Sequence, residues 1–340
     1  MDKYYTLDST SHLKLKKIAG PIMIFGAGGF IGMNMLKTML AYRQDVYGIS
    51  QDYKKNWRFM TGNIPRRNLR NCDLNELAQI TSLIRNIKPK TIFNMAAYGA
   101  YSKQKEYGKI YRTNIISTSD LIEILKETGF NVYIHAGSQS EYGTNSKGPQ
   151  EDSELSPNSH YAVSKTANYF TMKYYGKTEK LPVVHMRLYS AYGPWEEPDR
   201  LVPVLLSKAR KGILPQLVNP NVSRDFIYVQ DIVDAFITVA AKISPNIYGE
   251  AFNIATGKKT TIKNLVEITK KMLKFSAKPE FGSMKNRDWD LEEWYGNPEK
   301  MQRVFNWRPK YSLEDGLMLS VEWQKDIDYD SAIWSQNSRL

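Results

Sequence analysis

From residue 20 onward, short apolar runs alternate with longer stretches in which apolar residues recur every three or four positions. PIMIF is followed by FIGMNMLKTMLAYR, DVYGIS and KTIFNMAA flank LNELAQITSLIRNI, and VYIHAGS follows the stretch TNIISTSDLIEILKETG. A helical segment running from YAVSK to YYGK then leads into VVHMRLYS. Strands buried on both faces read as continuous apolar runs, and the crossovers between them read as amphipathic helices. The pattern therefore predicts an α/β protein built on a doubly wound parallel sheet with helices on both faces.

Past about residue 195 the rhythm shortens into helical LVPVLLSKARKG, strand-like RDFIYV, helical DIVDAFITVAAK, strand-like AFNIA and helical TIKNLVEITKKML. This predicts a smaller mixed α/β lobe toward the C-terminus. Ser312 and Asp315 have capping spacing before an apolar periodic run, so the last helix should start at Ser312.

Composition narrows the class. The 340 residues are 42% hydrophobic, carry a formal charge of +12 and contain one cysteine, Cys72. No window has the apolar length of a membrane span, and the first residues, MDKYYTLDSTSHLKLKK, lack the apolar block of a secretory signal. A soluble, cytoplasmic protein with no membrane partner is expected. The basic residues are scattered rather than gathered into a tract, which argues against nucleic acid and leaves phosphorylated small molecules as the anionic partner. The four histidines, His12, His135, His160 and His185, share no ligand spacing, so no metal is expected.

Candidate chemistry begins at GAGGFIG, where Gly26, Gly29 and Gly32 lie three apart between a strand-like and a helical run. Glycine permits the tight turn, the approach of backbone to a pyrophosphate and the packing of helix on strand, while the helix N-terminus presents N–H groups to the anion. A Rossmann-type dinucleotide site is expected. At the end of the second strand, where a ribose-binding carboxylate would select NAD, the chain has Ser50, followed by Asp52, Lys54, Lys55 and Arg58. A hydroxyl beside cations suits a 2′-phosphate, which tilts the expectation toward NADP while Asp52 keeps NAD open.

Tyr161 and Lys165 are four apart on one helical face, and an ammonium one turn away would stabilise a phenolate by Coulomb attraction. Ser138 ends the apolar run VYIHAGS, at the strand end where ligands bind in open α/β sheets, and could orient a substrate oxygen against the phenol. Glu141 and Asp152 read as solvated loop carboxylates. On these signals, residues 1–19 form an N-terminal extension, 20–195 the dinucleotide-binding domain with 225–250 returning to it, 196–330 mainly the substrate lobe, and 331–340 a tail.

Together, GAGGFIG, CDL at 72–74, NMAA at 94–97, TN at 113–114, SQSEYG, YAVSK, RLYSAYGP at 187–194, RDFIYVQDI at 224–232, Arg287 and NWRP near 306 resemble the extended short-chain dehydrogenase/reductases, in the nucleotide-sugar epimerase/dehydratase branch. The resemblance covers about residues 20 to 325. It implies a catalytic set of Ser138, Tyr161 and Lys165. It also implies cofactor contacts from Gly26, Gly29, Phe30, Ile31, Gly32, Ser50, Asp73, Leu74, Ala96, Ala97 and Asn114 as well as Tyr161 and Lys165. The partner it implies is a nucleotide-diphosphate sugar held by Ser138, Ser140 and Ser190, with Arg224 and Arg287 on the pyrophosphate. It further implies a homodimer formed through two helices per subunit, for which the apolar face of LIEILK is a candidate.

The departures from the family pattern select among reactions. Members that dehydrate or decarboxylate follow the catalytic hydroxyl with an acidic residue, whereas this chain has Gln139 and Ser140 and places Glu141 one position late. The expectation is oxidoreduction at C4 by a 4-ketoreductase or 4-epimerase. A 4,6-dehydratase or decarboxylase is the alternative, and a non-catalytic sugar-nucleotide-binding module a more distant one.

Overall fold

The computed structural model describes residues 3–101, 103–286 and 291–327. Arg287 and the tail at 331–340 lie outside the described residues. Seven strands form one parallel sheet: β1 (Ile22–Phe25), β2 (Val46–Ser50), β3 (Leu69–Asn71), β4 (Thr91–Asn94), β5 (Val132–Ser138), β6 (Val183–Leu188) and, after three short strands, β10 (Ala251–Ile254). The short strands are β7 (Ser190–Tyr192), β8 (Ser223–Arg224) and β9 (Phe226–Tyr228); β9 pairs with β7, and β8 pairs with β11 (Thr260–Thr261). The main sheet runs β10-β6-β5-β4-β1-β2-β3. The chain winds from β1 toward β3 and then from β4 toward β10, so the reversal falls between β1 and β4, where open α/β sheets bind ligands.

The helices are α1 (Ser9–Lys17), α2 (Phe30–Leu40), α3 (Trp57–Thr61), α4 (Leu77–Ile87), α5 (Tyr107–Tyr111), α6 (Ser117–Thr128), α7 (His160–Lys177), α8 (Leu201–Ala209), α9 (Val229–Ala241), α10 (Ile262–Leu273), α11 (Glu299–Phe305) and α12 (Leu313–Asp326). Alternate residues of one strand serve opposite faces. Ile22 and Ile24 join the core under α2 and α9, while Met23 and Phe25 join the core under α4, α6 and α7. A third core, built from Leu205, Leu206, Leu265, Val266, Leu317 and Val321 of α8, α10 and α12, carries the C-terminal lobe. Ser312 caps α12 by accepting from the Asp315 N–H, as its spacing implies.

Two expectations on helices need correction. The stretch 1–19 is folded where it is described: α1 packs on α9, capped by Asp8, and Tyr4 and Tyr5 are buried. Its contacts with distant chain, rather than any periodicity of its own, hold this helix together. The apolar face of LIEILK is internal, since Leu121, Ile122, Ile124 and Leu125 all lie in the core against β4 and β5.

Candidate active site

The glycine loop leaves β1 and turns directly into α2, with Gly29 at the N-cap position. Gly26 has φ +73°, and a Cβ there would lie 2.6 Å from the Ala96 backbone nitrogen, so the ends of β1 and β4 touch through this residue. A Cβ on Gly32 would lie 2.3 Å from the Gly26 carbonyl oxygen. Gly29 differs, for a Cβ there would meet only the Gly26 oxygen at 3.2 Å and otherwise open space. Phe30 and Ile31, half-buried, begin α2.

The rest of the cofactor set lines the same edge. Ser50 ends β2 with its hydroxyl 2.9 Å from where a Gly28 Cβ would stand. Asp73, just past β3, accepts from Gln51 Nε2 at 2.6 Å and from the Asn75 N–H at 2.9 Å, which fixes it beside Leu74 next to the end of β2. Ala96 and Ala97 follow β4, and the Ala96 N–H donates to Asn94 Oδ1 at 3.1 Å. Asn114 sits in a π-helical turn, Arg112–Ile116, between α5 and α6. Its amide holds Tyr98 through both backbone groups, at 2.8 Å each, and donates to Ser164 on α7 at 2.8 Å. Asn114 therefore braces the loop after β4 against α7.

Arg58 departs from its expected role. The guanidinium is buried and donates to the Trp195 carbonyl at 2.8 Å, the Gly28 carbonyl at 3.2 Å and Glu197 at 2.5 Å, so it holds the glycine loop from behind instead of facing a 2′-phosphate. Lys55 lies 3.6 Å from Asp52. Sequence reading missed Arg58 as a brace because its partners lie 30 and 137 positions away.

Ser138 ends β5 and caps a short 3-10 turn, accepting from the Ser140 N–H at 3.1 Å. Its hydroxyl also faces the Tyr161 phenol closely enough to favour the phenolate through a hydrogen bond. Ser159 caps α7, placing Tyr161 and Lys165 in its first two turns. Ser138 Oγ donates to Ser140 Oγ at 3.1 Å and Gln139 Nε2 donates to Ser190 Oγ at 3.3 Å, so the three serines lie beside one another past the end of β5. Arg224, half-buried, stacks 4.4 Å over the Trp294 ring and immediately precedes Asp225, whose carbonyl accepts from the Ser190 N–H at 3.0 Å.

The electrostatics differ from the expected pairing of phenolate and ammonium. Burial pushes Tyr161 up to about 12, and Ser138, followed by Arg200, pulls it back rather than Lys165. Lys165 is itself buried, donates to the Ala136 carbonyl at 2.7 Å, stands 5.8 Å from the centre of the Tyr161 ring and is pushed down to about 8 by burial. The ammonium is anchored to the strand, one layer below the phenol.

Glu141 is the largest surprise. In place of a solvated loop carboxylate, it is fully buried under β5 and pairs with Arg187 and His185 of β6. His185 belongs to this buried cluster, and His135 stacks on it at 5.5 Å. The signal was present in the alternation along β6, which puts His185 and Arg187 on one face, but burial of a charge is not visible in a single chain.

A glycine turn at the sheet reversal with a Ser-Tyr-Lys set one strand away is the arrangement to compare with known proteins. The GDP-mannose 4,6-dehydratase family model matches residues 23–319. The chain belongs to that family. The chain is 26% identical over 311 residues to a UDP-glucose 4-epimerase of Mycolicibacterium smegmatis, covering 88% of this chain and 97% of that protein. It is 25% identical over 327 residues to a dTDP-glucose 4,6-dehydratase of Xanthomonas campestris pv. campestris, covering 88% of this chain and 92% of that one. The structure of a dTDP-glucose 4,6-dehydratase from Bacillus anthracis in complex with NAD superimposes with a TM-score of 0.76 at 26% identity, covering 90% of this chain and 96% of the other. Family membership thus spans isomerases and lyases on one fold, and the reaction has to be read from the site.

Proposed function

We propose that this protein is an NAD(P)-dependent nucleotide-sugar enzyme that carries out oxidoreduction at C4 of the sugar, as a 4-epimerase or 4-ketoreductase. The observation that carries the reading is that Ser138 at the end of β5 adjoins Tyr161 of α7, with Lys165 beneath the phenol, while the nearby carboxylate, Glu141, is turned into the core. Tyr161 exchanges a proton with the C4 oxygen, Ser138 donates to that oxygen and fixes its distance from the phenol, and Lys165 holds positive charge beneath them. When bound, the dinucleotide supplies the hydride acceptor and donor at C4. The residues around the glycine turn fit it: Gly29 opens on space at a helix N-terminus, and Gly26 and Gly32 have no room for a side chain.

Loss of water from the sugar needs an acid beside the catalytic hydroxyl. Gln139 and Ser140 stand there, and both Glu141 oxygens are engaged in the core. The dehydratase reading is supported by relatives that carry that name, and it requires a carboxylate from elsewhere. For the dinucleotide we read NAD, because Arg58 is committed to Gly28, Trp195 and Glu197 and Lys55 lies beside Asp52, which removes two of the three cations behind the NADP expectation. A nucleotide-diphosphate sugar is the substrate class, in line with the names of the relatives. A second copy of the chain suits the stripe of exposed Val163, Phe170 and Tyr174, at 39%, 55% and 53%, along α7.

The test is to identify any dinucleotide released on denaturation, titrate the emptied protein with NADH and NADPH, and incubate it with nucleotide hexoses and their 4-keto forms. Interconversion at C4 or reduction of a 4-keto sugar supports the reading, and release of water from a hexose overturns it. Tyr161→Phe should abolish turnover and leave dinucleotide affinity within about twofold.

A further inference from the structure

Glu141 is engaged on three sides. Its Oε1 accepts from the Ser138 backbone N–H at 2.8 Å and pairs with His185 Nε2 at 2.8 Å, and its Oε2 accepts from Arg187 Nε at 2.7 Å. The carboxylate reaches the strand end because residue 137 is glycine: a Cβ there would lie 2.2 Å from His185 Nε2 and 2.6 Å from Glu141 Oε1. Arg187 donates in turn to the Tyr142 hydroxyl at 2.8 Å and the Glu151 carbonyl at 2.9 Å, and it stacks over the Tyr142 and Tyr169 rings. Burial holds both His185 and His135 below the ordinary histidine range, so they stay neutral. Burial would raise the Glu141 carboxyl, but its charged and hydrogen-bonded neighbours outweigh that and hold it ionised. The ion pair is Glu141 with Arg187.

A buried ion pair contributes little to stability that apolar side chains of the same volume would not, so stability alone does not account for this one. What an apolar residue cannot reproduce is the bond to the Ser138 N–H and the fixed negative charge behind the reacting groups. Lys165 Nζ binds the Ala136 carbonyl at 2.7 Å, two residues before the Ser138 N–H that Glu141 accepts from, so the charge stands close enough on β5 to favour the ammonium; it opposes the phenolate of Tyr161, where Arg200 acts in the other direction and Tyr101 in the same one.

We propose that Glu141 is a positioning residue: through the Ser138 peptide and through its charge, it sets where the catalytic hydroxyl stands and keeps the proton on Lys165. This rests on the C4 oxidoreduction reading for its catalytic consequence, but not for its effect on Lys165.

The test is Glu141→Gln, which keeps the shape and an oxygen for the Ser138 N–H while removing the charge. Lys165 is followed by the resonance of its isotope-labelled ε-carbon from about pH 6 to about pH 10, assigned by its absence in Lys165→Met. The titration midpoint is expected to fall by about half a pH unit or more in Glu141→Gln. With the sugar substrate, kcat at the optimum falls roughly tenfold or more while KM stays within about twofold, and the alkaline limb of the kcat profile moves down with the midpoint. A role in packing alone would lower thermal stability and leave midpoint and limb in place, which overturns the proposal. If Glu141→Gln does not fold, Glu141→Gln combined with Arg187→Gln removes both charges, and a downward move is still expected because Glu141, not Arg187, acts on the Lys165 ammonium; an unmoved midpoint there is equally refuting. Should the parent protein turn over no nucleotide sugar, the C4 reading fails, whereas the resonance still decides the charge on Lys165.

Discussion

Lys165→Met is expected to make the protein more stable at neutral pH while abolishing its activity. The lysine is 2% exposed, and burial takes its pKa from 10.5 to about 8. That displacement of roughly 2.5 units, at about 1.4 kcal/mol per unit, sets against the folded state about 3 kcal/mol at pH 7. Losing the bond from Nζ to the Ala136 carbonyl returns about 1 kcal/mol, so the variant should gain about 2 kcal/mol. The sign follows from linkage. The folded pKa lies below the unfolded one, so the unfolded chain binds more protons between about 8 and 10.5, and the parent gains stability across that window. The advantage of Lys165→Met should therefore be full below about pH 8, shrink as pH rises, and turn into a deficit of about 1 kcal/mol near 10.5, where only the lost hydrogen bond remains. Urea denaturation of both proteins without dinucleotide, at about pH 7 and at about pH 10, measures the difference, and groups common to both cancel. A variant less stable at both values, or an advantage that does not shrink, would refute the assignment of a strained ammonium.

Gly26→Ala and Gly29→Ala should separate folding from binding. The first places a Cβ in the left-handed region and against the Ala96 backbone, at a cost of about 1–2 kcal/mol before the contact is counted, so Tm should drop by several degrees. The second meets only one atom, so Tm should hold within about a degree while NADH affinity falls at least tenfold, as calorimetric titration would show; equal Tm losses would contradict the geometry. Deleting residues 1–18 should expose the face of α9 covered by α1 and lower Tm by several degrees, and unchanged melting would mean that the segment contributes nothing.

The strands of the main sheet were legible because each is buried on both faces, and β1, β4, β5 and β6 carry nearly unbroken apolar runs. The edge strand β3, reading LRN, carries no such signal because one of its sides is free of a partner strand. Tyr161, Lys165 and Ser138 were legible from spacing and strand position, but the direction of the lysine was not. Its Nζ goes to Ala136, a partner 29 positions away, and local helical spacing says nothing of that. The same holds for Arg58, whose role depends on Gly28 and Trp195, and for Glu141, whose neighbours on β6 come from the sheet register.

The docked N-terminal segment has a consequence for the order in which the chain can assemble. The Tyr4 hydroxyl donates to Asp326 at 2.6 Å across 322 positions, and Trp195 Nε1 donates to the Tyr5 hydroxyl at 2.6 Å across 190. Asp8 pairs with Lys310. At about 5–20 residues per second on the ribosome, roughly 15 to 65 seconds separate the emergence of Tyr4 from that of Asp326. During that interval α9 and the large sheet can form and offer α1 its docking face, while the partners of Tyr4 and Asp8 at Asp326 and Lys310 are still to come, so those two ties close last, as a clasp over a helix already seated. Packing on α9 seats the first helix, and the arrival of the last helix adds the polar ties that fasten it.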